Sequence, residues 1–292
     1  MYELIQTSSR SYYILSPTRI GLWLSNDTEA YVIDSGNSKD AGKRIRKILD
    51  QNDWTLKGIL NTHSHADHIG GNAYLQQQYG CRAFTSAIEG TFTAYPILEP
   101  TSLYAGSPPP ELRHKFLMAA SSDPSPLSHP EFPGEIEVIP LPGHSFDMVG
   151  FRTPDNTVYL GDCVSNEATL EKYGITFLYD VADYLATLEK VAAMEAAMFV
   201  PAHADATDNI APLAELNRRK VLEIADHIVK ICETPVIFDD LLRQLFYDYQ
   251  LQMNHEQHAL VGSTVRSYLT WLKQQGRIED TFEDNRQLWK TV

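Results

Sequence analysis

Thr62-His63-Ser64-His65-Ala66-Asp67-His68-Ile69-Gly70-Gly71 places four metal-ligating side chains within six residues. The run follows the strand-like Lys57-Gly58-Ile59-Leu60-Asn61 and leads into a helix expected over about Ile69 to Tyr79. His63 and His65 are two apart, so in extended backbone both face the same side. Asp67 and His68 fall where the chain turns into the helix and can point past that first pair. The pattern suits two adjacent metal ions better than one.

Further ligand types end other apolar runs. Leu141-Pro142-Gly143-His144-Ser145 follows Glu137-Val138-Ile139-Pro140. Val158-Tyr159-Leu160-Gly161-Asp162-Cys163 closes on an Asp, and Met198-Phe199-Val200-Pro201-Ala202-His203 on a His. Each reads as a short strand with a ligand at its C-terminal tip, where loops on a rigid sheet concentrate function. Together with Val32-Ile33-Asp34-Ser35-Gly36 upstream, the ordered set resembles the five motifs of the metallo-β-lactamase superfamily over about residues 10 to 210. Its ligand pattern is most similar to the glyoxalase II-like branch.

The resemblance implies a two-metal site. His63, His65 and His144 would hold one ion, Asp67, His68 and His203 the other, and Asp162 would bridge them. Asp34 would orient ligands without binding metal. Imidazole and carboxylate suit zinc, with iron or manganese also fitting, and a ligating His needs an acceptor on its other ring nitrogen. The implied chemistry is hydrolysis of a small thioester, ester or lactone by a metal-bridging hydroxide, with Asp67 and Asp162 orienting that water or moving its proton. Tyr104, Tyr173 and Tyr179 are candidate oxyanion donors. No Gly-x-Ser-x-Gly elbow points to a serine nucleophile, and no basic set for glutathione is evident. Two other readings stay open. One is a metal-dependent nuclease or phosphodiesterase acting on RNA or DNA. The other is an iron protein, such as a mononuclear iron dioxygenase of the same fold. The flavodiiron type resembles the pattern but carries Glu where this chain has His65.

Length and composition accommodate this. The 292 residues, 43% hydrophobic, allow one large and one small domain. No run of eighteen apolar residues indicates a membrane span, and the first residues lack a signal-peptide pattern. Three widely spaced cysteines, Cys81, Cys163 and Cys232, predict reduced thiols and a cytoplasmic location. Cys163 follows Asp162 on a strand and should point the opposite way, as a buried thiol rather than a ligand.

Strands are expected at Ser11–Leu15, Ile20–Ser25, Ala30–Asp34, Gly58–Thr62, Ala83–Thr85, Glu137–Leu141, Val149–Arg152, Thr157–Gly161 and Met198–Ala202. Helices are expected at Ser38–Gln51, Asn72–Tyr79 and Ala182–Ala197. The alternation predicts an α/β fold, a four-layer αββα sandwich over residues 1–212. Between about Ser86 and Gly134 an insertion carries nine of the sixteen prolines and a helix expected at Leu112–Ala120. A long loop there should pass near the site. Its aromatics Phe92, Tyr95, Tyr104, Phe116 and Phe132 either wall a pocket or anchor the insertion. His114 and His129 lack ligating neighbours and read as surface or structural residues.

Residues 213–292 read as a small, mainly helical unit. Helices at Glu215–Cys232, Phe238–Tyr249 and His255–Gln275 precede a hairpin from Gly276 to Lys290. The order is similar to the winged helix of superfamily members resembling β-lactamase-like protein 2. His255 and His258 have no third ligand beside them and read as capping or surface residues. Ten Lys and Arg face twelve Asp and Glu here, a net of −2, while the preceding residues hold fourteen against twenty-six, a net of −12. A nucleic-acid binder shows a basic stripe; the one compact cluster is Arg218-Arg219-Lys220. Packing, homodimerisation or shaping the mouth for a small-molecule substrate are the roles left for this unit, with nucleic acid disfavoured.

Overall fold

The computed structural model describes residues 2–292. Two sheets stack face to face between layers of helices. The first has seven strands in chain order: β1 (Glu3–Gln6), β2 (Ser11–Leu15), β3 (Ile20–Leu24), β4 (Glu29–Ile33), β5 (Thr55–Leu60), β6 (Arg82–Thr85) and β7 (Pro124–Pro126). It is antiparallel from β1 to β4 and parallel from β4 to β7. The second has β8 (Glu137–Pro140), β9 (Val149–Arg152), β10 (Thr157–Ser165) and β11 (Met198–His203), ordered β11-β10-β9-β8 with β10 and β11 parallel.

Helices cover the outer faces. On the first sheet α1 (Lys39–Gln51) and α3 (Asn72–Tyr79) bury Ile45, Ile48, Leu49 and Leu75 against Ile14, Leu22, Val32 and Ile59. Ser38 starts α1 by accepting the Ala41 N–H, the side-chain cap expected of a serine there. Between the sheets lie Trp23, Ile33, Leu60, Phe84, Phe151, Tyr159 and Val200. The Tyr159 hydroxyl sits 2.8 Å from the Tyr12 carbonyl and 3.0 Å from that of Leu22, tying the second sheet to the first. On the far side α7 (Val181–Ala192) and α8 (Ala211–Ile231) pack on β10.

The C-terminal residues continue that layer. After α8 come α9 (Phe238–Asp248), α10 (His255–Gln274) and the hairpin β12 (Ile278–Glu283) and β13 (Arg286–Thr291). Ile224, Ile228, Leu245, Val265, Leu269 and Trp289 share one core with Leu160, Cys163 and Phe199 of the second sheet. Cys163 is fully buried there, and burial pushes its thiol up to about 12. Two of the three cations in the basic cluster are paired on the same helix, Arg218 with Glu215 and Lys220 with Glu223.

The expected elements form, with instructive exceptions. The helix expected from Ile69 splits at Gly70-Gly71 into α2 (Ala66–Ile69) and α3, because that glycine pair abuts the backbone of Ser35 to Ser38. β10 runs on to Ser165, so Asp162 lies within the strand rather than at its tip. No α-helix covers Leu112–Ala120. A 3₁₀ turn at Pro110–Leu112 and a turn after His114 instead dock Leu112 and Leu117 on Leu103 and Ala259. The helices of the insertion are α4 (Ala87–Ala94) and α5 (Leu98–Tyr104), and α6 (Glu167–Tyr173) follows β10. Among the described residues no helix is long and apolar enough to cross a membrane.

The Tyr159 tie predicts a stability effect. Tyr159→Phe should cost about 1–2 kcal/mol, the scale of a buried hydrogen bond, read as a lowered denaturant midpoint with an unchanged slope. An unchanged midpoint would show that the sheets are held by apolar packing alone.

Candidate metal centre

The ligand-bearing loops open from one edge of the sandwich. His63 and His65 lie in the loop after β5, and Asp67 and His68 in α2. His144 follows β8, Asp162 lies in β10, and His203 ends β11. Their ligand atoms fall into two groups. His63, His65, His144 and Asp162 form one; Asp67, His68 and His203 form the other. Within each group the atoms lie within 4.8 Å of one another.

Asp162 touches both groups. Its Oδ2 is 3.3 Å from His144 Nε2 and 3.2 Å from His203 Nε2, while Oδ1 is 3.0 Å from His68 Nε2. Asp67 Oδ2 stands 3.5 Å from His203 Nε2 and 3.7 Å from His68 Nε2, and accepts the Thr18 hydroxyl at 2.7 Å. Backbone geometry aims these groups. β10 bulges around Gly161, which has φ +53 and whose Cβ, if present, would meet Thr62 Oγ1 at 2.9 Å. Gly143, just before His144, has φ +115 against the Tyr184 backbone, a place where any Cβ would clash at 2.2 Å.

Asp34 organises the imidazoles from behind. Its left-handed backbone (φ 64) turns a buried carboxylate toward three donors. These are Thr62 N–H, the Thr62 hydroxyl and His68 Nδ1, each at 2.8 Å. A carboxylate only accepts, so the Thr62 hydroxyl donates to it and must accept from His63 Nδ1, 3.0 Å away. Both rings are thereby turned with Nε2 toward the cluster, as metal ligands require.

A second buried carboxylate was not visible as a candidate in the sequence. Glu89 of α4 is fully buried and holds two ligand loops at once. It accepts Ser64 N–H at 2.9 Å and the Ser64 hydroxyl at 2.5 Å, between His63 and His65. Its other oxygen accepts the Ser145 hydroxyl at 2.7 Å, beside His144, and Asp147 N–H at 3.2 Å. No local motif marks Glu89, because its partners are 25 and 56 residues away.

The donor set fits metal ions. His68 Nε2 and Asp162 Oδ1 are buried without a hydrogen bond although they face each other at 3.0 Å. His65 Nδ1 meets His63 Nε2 at 3.0 Å and His144 Nε2 at 3.1 Å, three ring nitrogens converging on one point. Burial, then the neighbouring imidazoles, lowers His63 well below its usual range and His65 to about 3, leaving both neutral. Asp162 raises His203 to about 10. Burial opposes protonation of His68, yet Asp162, Asp67 and Asp34 together raise it well above the usual range. Burial likewise opposes the charge of Asp162, but His203 and His68 hold its carboxyl well below the usual carboxylate range. Protons on His68 and His203 therefore balance the carboxylates, in the places where metal cations would do so.

The remaining sequence candidates are dispersed. Tyr179 lines a cavity beside His65 and packs on Phe146 with ring centroids 4.1 Å apart. Tyr104 and Tyr173 are half exposed and line neither cavity at the cluster. The insertion does pass over the site. Phe116 lines the cavity above His65, Asp67 and His144, while Phe92 and Phe132 anchor on Phe146 and Phe84. Tyr95 is exposed. His114 faces Glu256 at 3.6 Å, and His129 packs near Phe84. His255 and His258 are exposed on the first turn of α10.

Two outcomes follow for metal binding. Glu89→Ala should weaken metal affinity about 10- to 100-fold, the usual scale for losing a partner behind the ligands, with Glu89→Gln intermediate because its amide oxygen still accepts. Equilibrium dialysis checks this, and unchanged affinity would show that other contacts fix the loops. The raised His68 and His203 also set a pH dependence. Their protonated pairing stabilises the metal-free protein fully below the ordinary histidine pKa, and that of His203 is lost as pH rises through about 10. Metal binding near neutrality should therefore release at least about two protons per chain and tighten as pH rises. Calorimetry in buffers of different ionisation enthalpy counts them; release of none would refute the ion-pair account.

Residues 21–203 match the family model for the metallo-beta-lactamase superfamily. A hydroxyacylglutathione hydrolase of Bradyrhizobium sp. is 45% identical over 60 residues, 20% of this chain and 23% of that one. One from Shewanella denitrificans is 28% identical over 57% of this chain and 53% of its own. The beta-lactamase-like protein 2 homolog of Drosophila melanogaster is 25% identical over 60% and 58%. This chain covers less than two thirds of each of these relatives. A solved metallo-beta-lactamase family protein from Thermus thermophilus shares the fold over 97% of this chain and 98% of its own, at TM-score 0.74 and 17% identity. Over more than half its length, through every strand that carries a ligand, this chain belongs to the metallo-β-lactamase superfamily.

Proposed function

We propose that this protein is a dinuclear metal-dependent hydrolase acting on a small thioester, ester or lactone. One observation carries the reading: Asp162 sits within 3.3 Å of imidazoles from both ligand groups, the position from which one carboxylate can serve two ions. His63, His65 and His144 would hold one ion, Asp67, His68 and His203 the other, with zinc favoured by the donor set. The relatives named hydroxyacylglutathione hydrolase support a thioester.

Divalent ions so held lower the pKa of a coordinated water toward neutrality and polarise a carbonyl. The chain's own residues do the rest. Asp34, through Thr62 and His68, keeps ligand lone pairs aimed inward, and Glu89 keeps the two histidine loops together. Asp67, steadied by Thr18, lies beside the cavity and can orient a nucleophilic water or take its proton. Phe116, Leu117, Phe177 and Leu260 give that cavity apolar walls, and an apolar lining strengthens electrostatic stabilisation of a developing oxyanion.

The C-terminal helices and hairpin are read as a winged helix used for packing and for the substrate mouth. Their core continues that of the second sheet, α10 lines the cavity, and Arg218 and Lys220 are already paired with glutamates. These features oppose the nuclease reading. The free thiols Cys81, Cys163 and Cys232 support a cytoplasmic location.

Elemental analysis after mild purification should find about two transition-metal ions per chain. Asp162→Ala should lose metal and at least about a hundredfold in activity against the best of a panel of thioesters, lactones, β-lactams, phosphodiesters and RNA. One ion per chain would instead favour the mononuclear iron dioxygenase, and selective RNA cleavage the nuclease. A variant that keeps both ions and near-normal turnover would show that Asp162 does not bridge.

A further inference from the structure

The strand that carries Asp162 leaves its regular ladder at that residue. β9 pairs with β10 only at Val158 and Tyr159. On the other edge Gly161 pairs with Pro201 and Ser165 with His203, so four steps along β10 match two along β11. Asp162 lies in that bulge. Its near end is held where Gly161 approaches Thr62. At its far end Asn166 N–H donates to the His203 carbonyl at 3.2 Å. Backbone groups along a strand alternate between its two edges. Ser165 therefore turns its N–H and C=O away from β11, toward an edge that β9 does not reach.

Asn217 of α8 fills that edge. Its Oδ1 accepts Ser165 N–H at 3.0 Å and its Nδ2 donates to the Ser165 carbonyl at 2.8 Å, so one amide stands in for a neighbouring strand. Nδ2 also donates to the Leu213 carbonyl at 2.8 Å, and the Tyr184 hydroxyl of α7 donates to Oδ1 at 3.4 Å. Both donors and both acceptor positions of the amide are thereby used. The residue is 2% exposed and lies on the helix face that buries Ala214, Val221 and Ile224. An apolar group of the same shape would serve packing there almost as well. What the amide adds is direction: its bonds admit one placement of the strand end.

We propose that Asn217 is a positioning residue for His203. By fixing the end of β10 against β11 it places His203 opposite Asp162, and so governs the ion that His203 would hold with Asp67 and His68. The inference rests on the two-metal hydrolase reading and extends it. It makes α8, which opens the C-terminal unit, part of what shapes the centre.

The test titrates the metal-free full chain with cobalt(II), reading stoichiometry and affinities by equilibrium dialysis and visible absorption. The urea midpoint of the metal-free protein is measured separately. Asn217→Asp keeps the acceptors for Ser165 N–H and Tyr184 but loses both donors. It should weaken one ion about 10- to 100-fold, the scale for losing a partner behind a ligand, and leave the other unchanged. In a His203→Ala background the same substitution should have no further effect on the remaining ion. Val265→Ala, a truncation at a buried position of α10, should lower the midpoint and leave both affinities unchanged. Should the aspartate variant not fold, Asn217→Ser, which leaves room for a water to reconnect Ser165, gives the same comparison. Unchanged binding in the Asn217 variants, equal weakening of both ions, a further loss in His203→Ala, or the same selective loss in Val265→Ala overturns the proposal while the two-ion reading stands. Uptake of a single ion by the unaltered chain overturns that reading, and this inference with it.

Discussion

The carboxylate of Asp162 lies where five imidazoles from three separate segments converge, and most of the surrounding architecture keeps it there. An isolated buried carboxylate would protonate or draw in water. Here His144 and His203 face one oxygen and His68 the other, at 3.0 to 3.3 Å. That arrangement needs both sheets. Asp162 and His203 come from neighbouring parallel strands of the second sheet, while His63, His65 and His68 follow β5 of the first. The tie from Tyr159 to Tyr12 and Leu22 holds the sheets in register behind this seam.

Two buried acids translate the packing into ligand geometry, and they act on different bonds. Asp34 works through ring nitrogens, so it selects tautomer and orientation. Glu89 works through Ser64 and Ser145, so it sets the spacing of loops that are 79 residues apart at His65 and His144. Each acid saturates its oxygens with several donors, the condition under which a buried charge is tolerated. Disturbing either leaves unpaired donors as well as misdirected ligands, so metal affinity and local order are coupled.

The residues that cluster were legible in the sequence because each sits in or just after an apolar run. His63 to His68 lie in one short stretch after β5, His144 follows β8, Asp162 lies in β10 and His203 ends β11. Element order was legible for the same reason, since periodicity reports which face is buried. What stayed hidden is set by tertiary contact. Leu112–Ala120 is a reasonable helix by composition, yet docking Leu112 and Leu117 on α10 overrides it. Glu89 and Glu99 look like ordinary surface glutamates of short helices, and only folding buries them. The bulge that draws Asp162 inside β10 follows from the close approach of Gly161 to Thr62, a contact across the sheets. The tyrosines proposed as oxyanion donors illustrate the converse: aromatic character alone does not say which residues turn toward the cavity.

The C-terminal unit has a share in the site that its charge could not reveal. A net of −2 argues only against polyanions. Because α10 packs on α7 and α8 in the core of the second sheet, its first turns are carried to the cavity, where Glu256 and Leu260 face residues of the insertion. Leu112 and Leu117 of the insertion meet Ala259 and Leu260 of the same helix, so the insertion and the C-terminal helices brace one another. The ligand cluster is rooted in the sheets and is also tied to the insertion through Glu89 of α4, which holds the Ser64 and Ser145 loops. These elements form only the outer wall of the cavity above it, through Glu99, Phe116 and Leu117 of the insertion and Glu256 and Leu260 of α10, while His65, Asp67 and His144 form its floor.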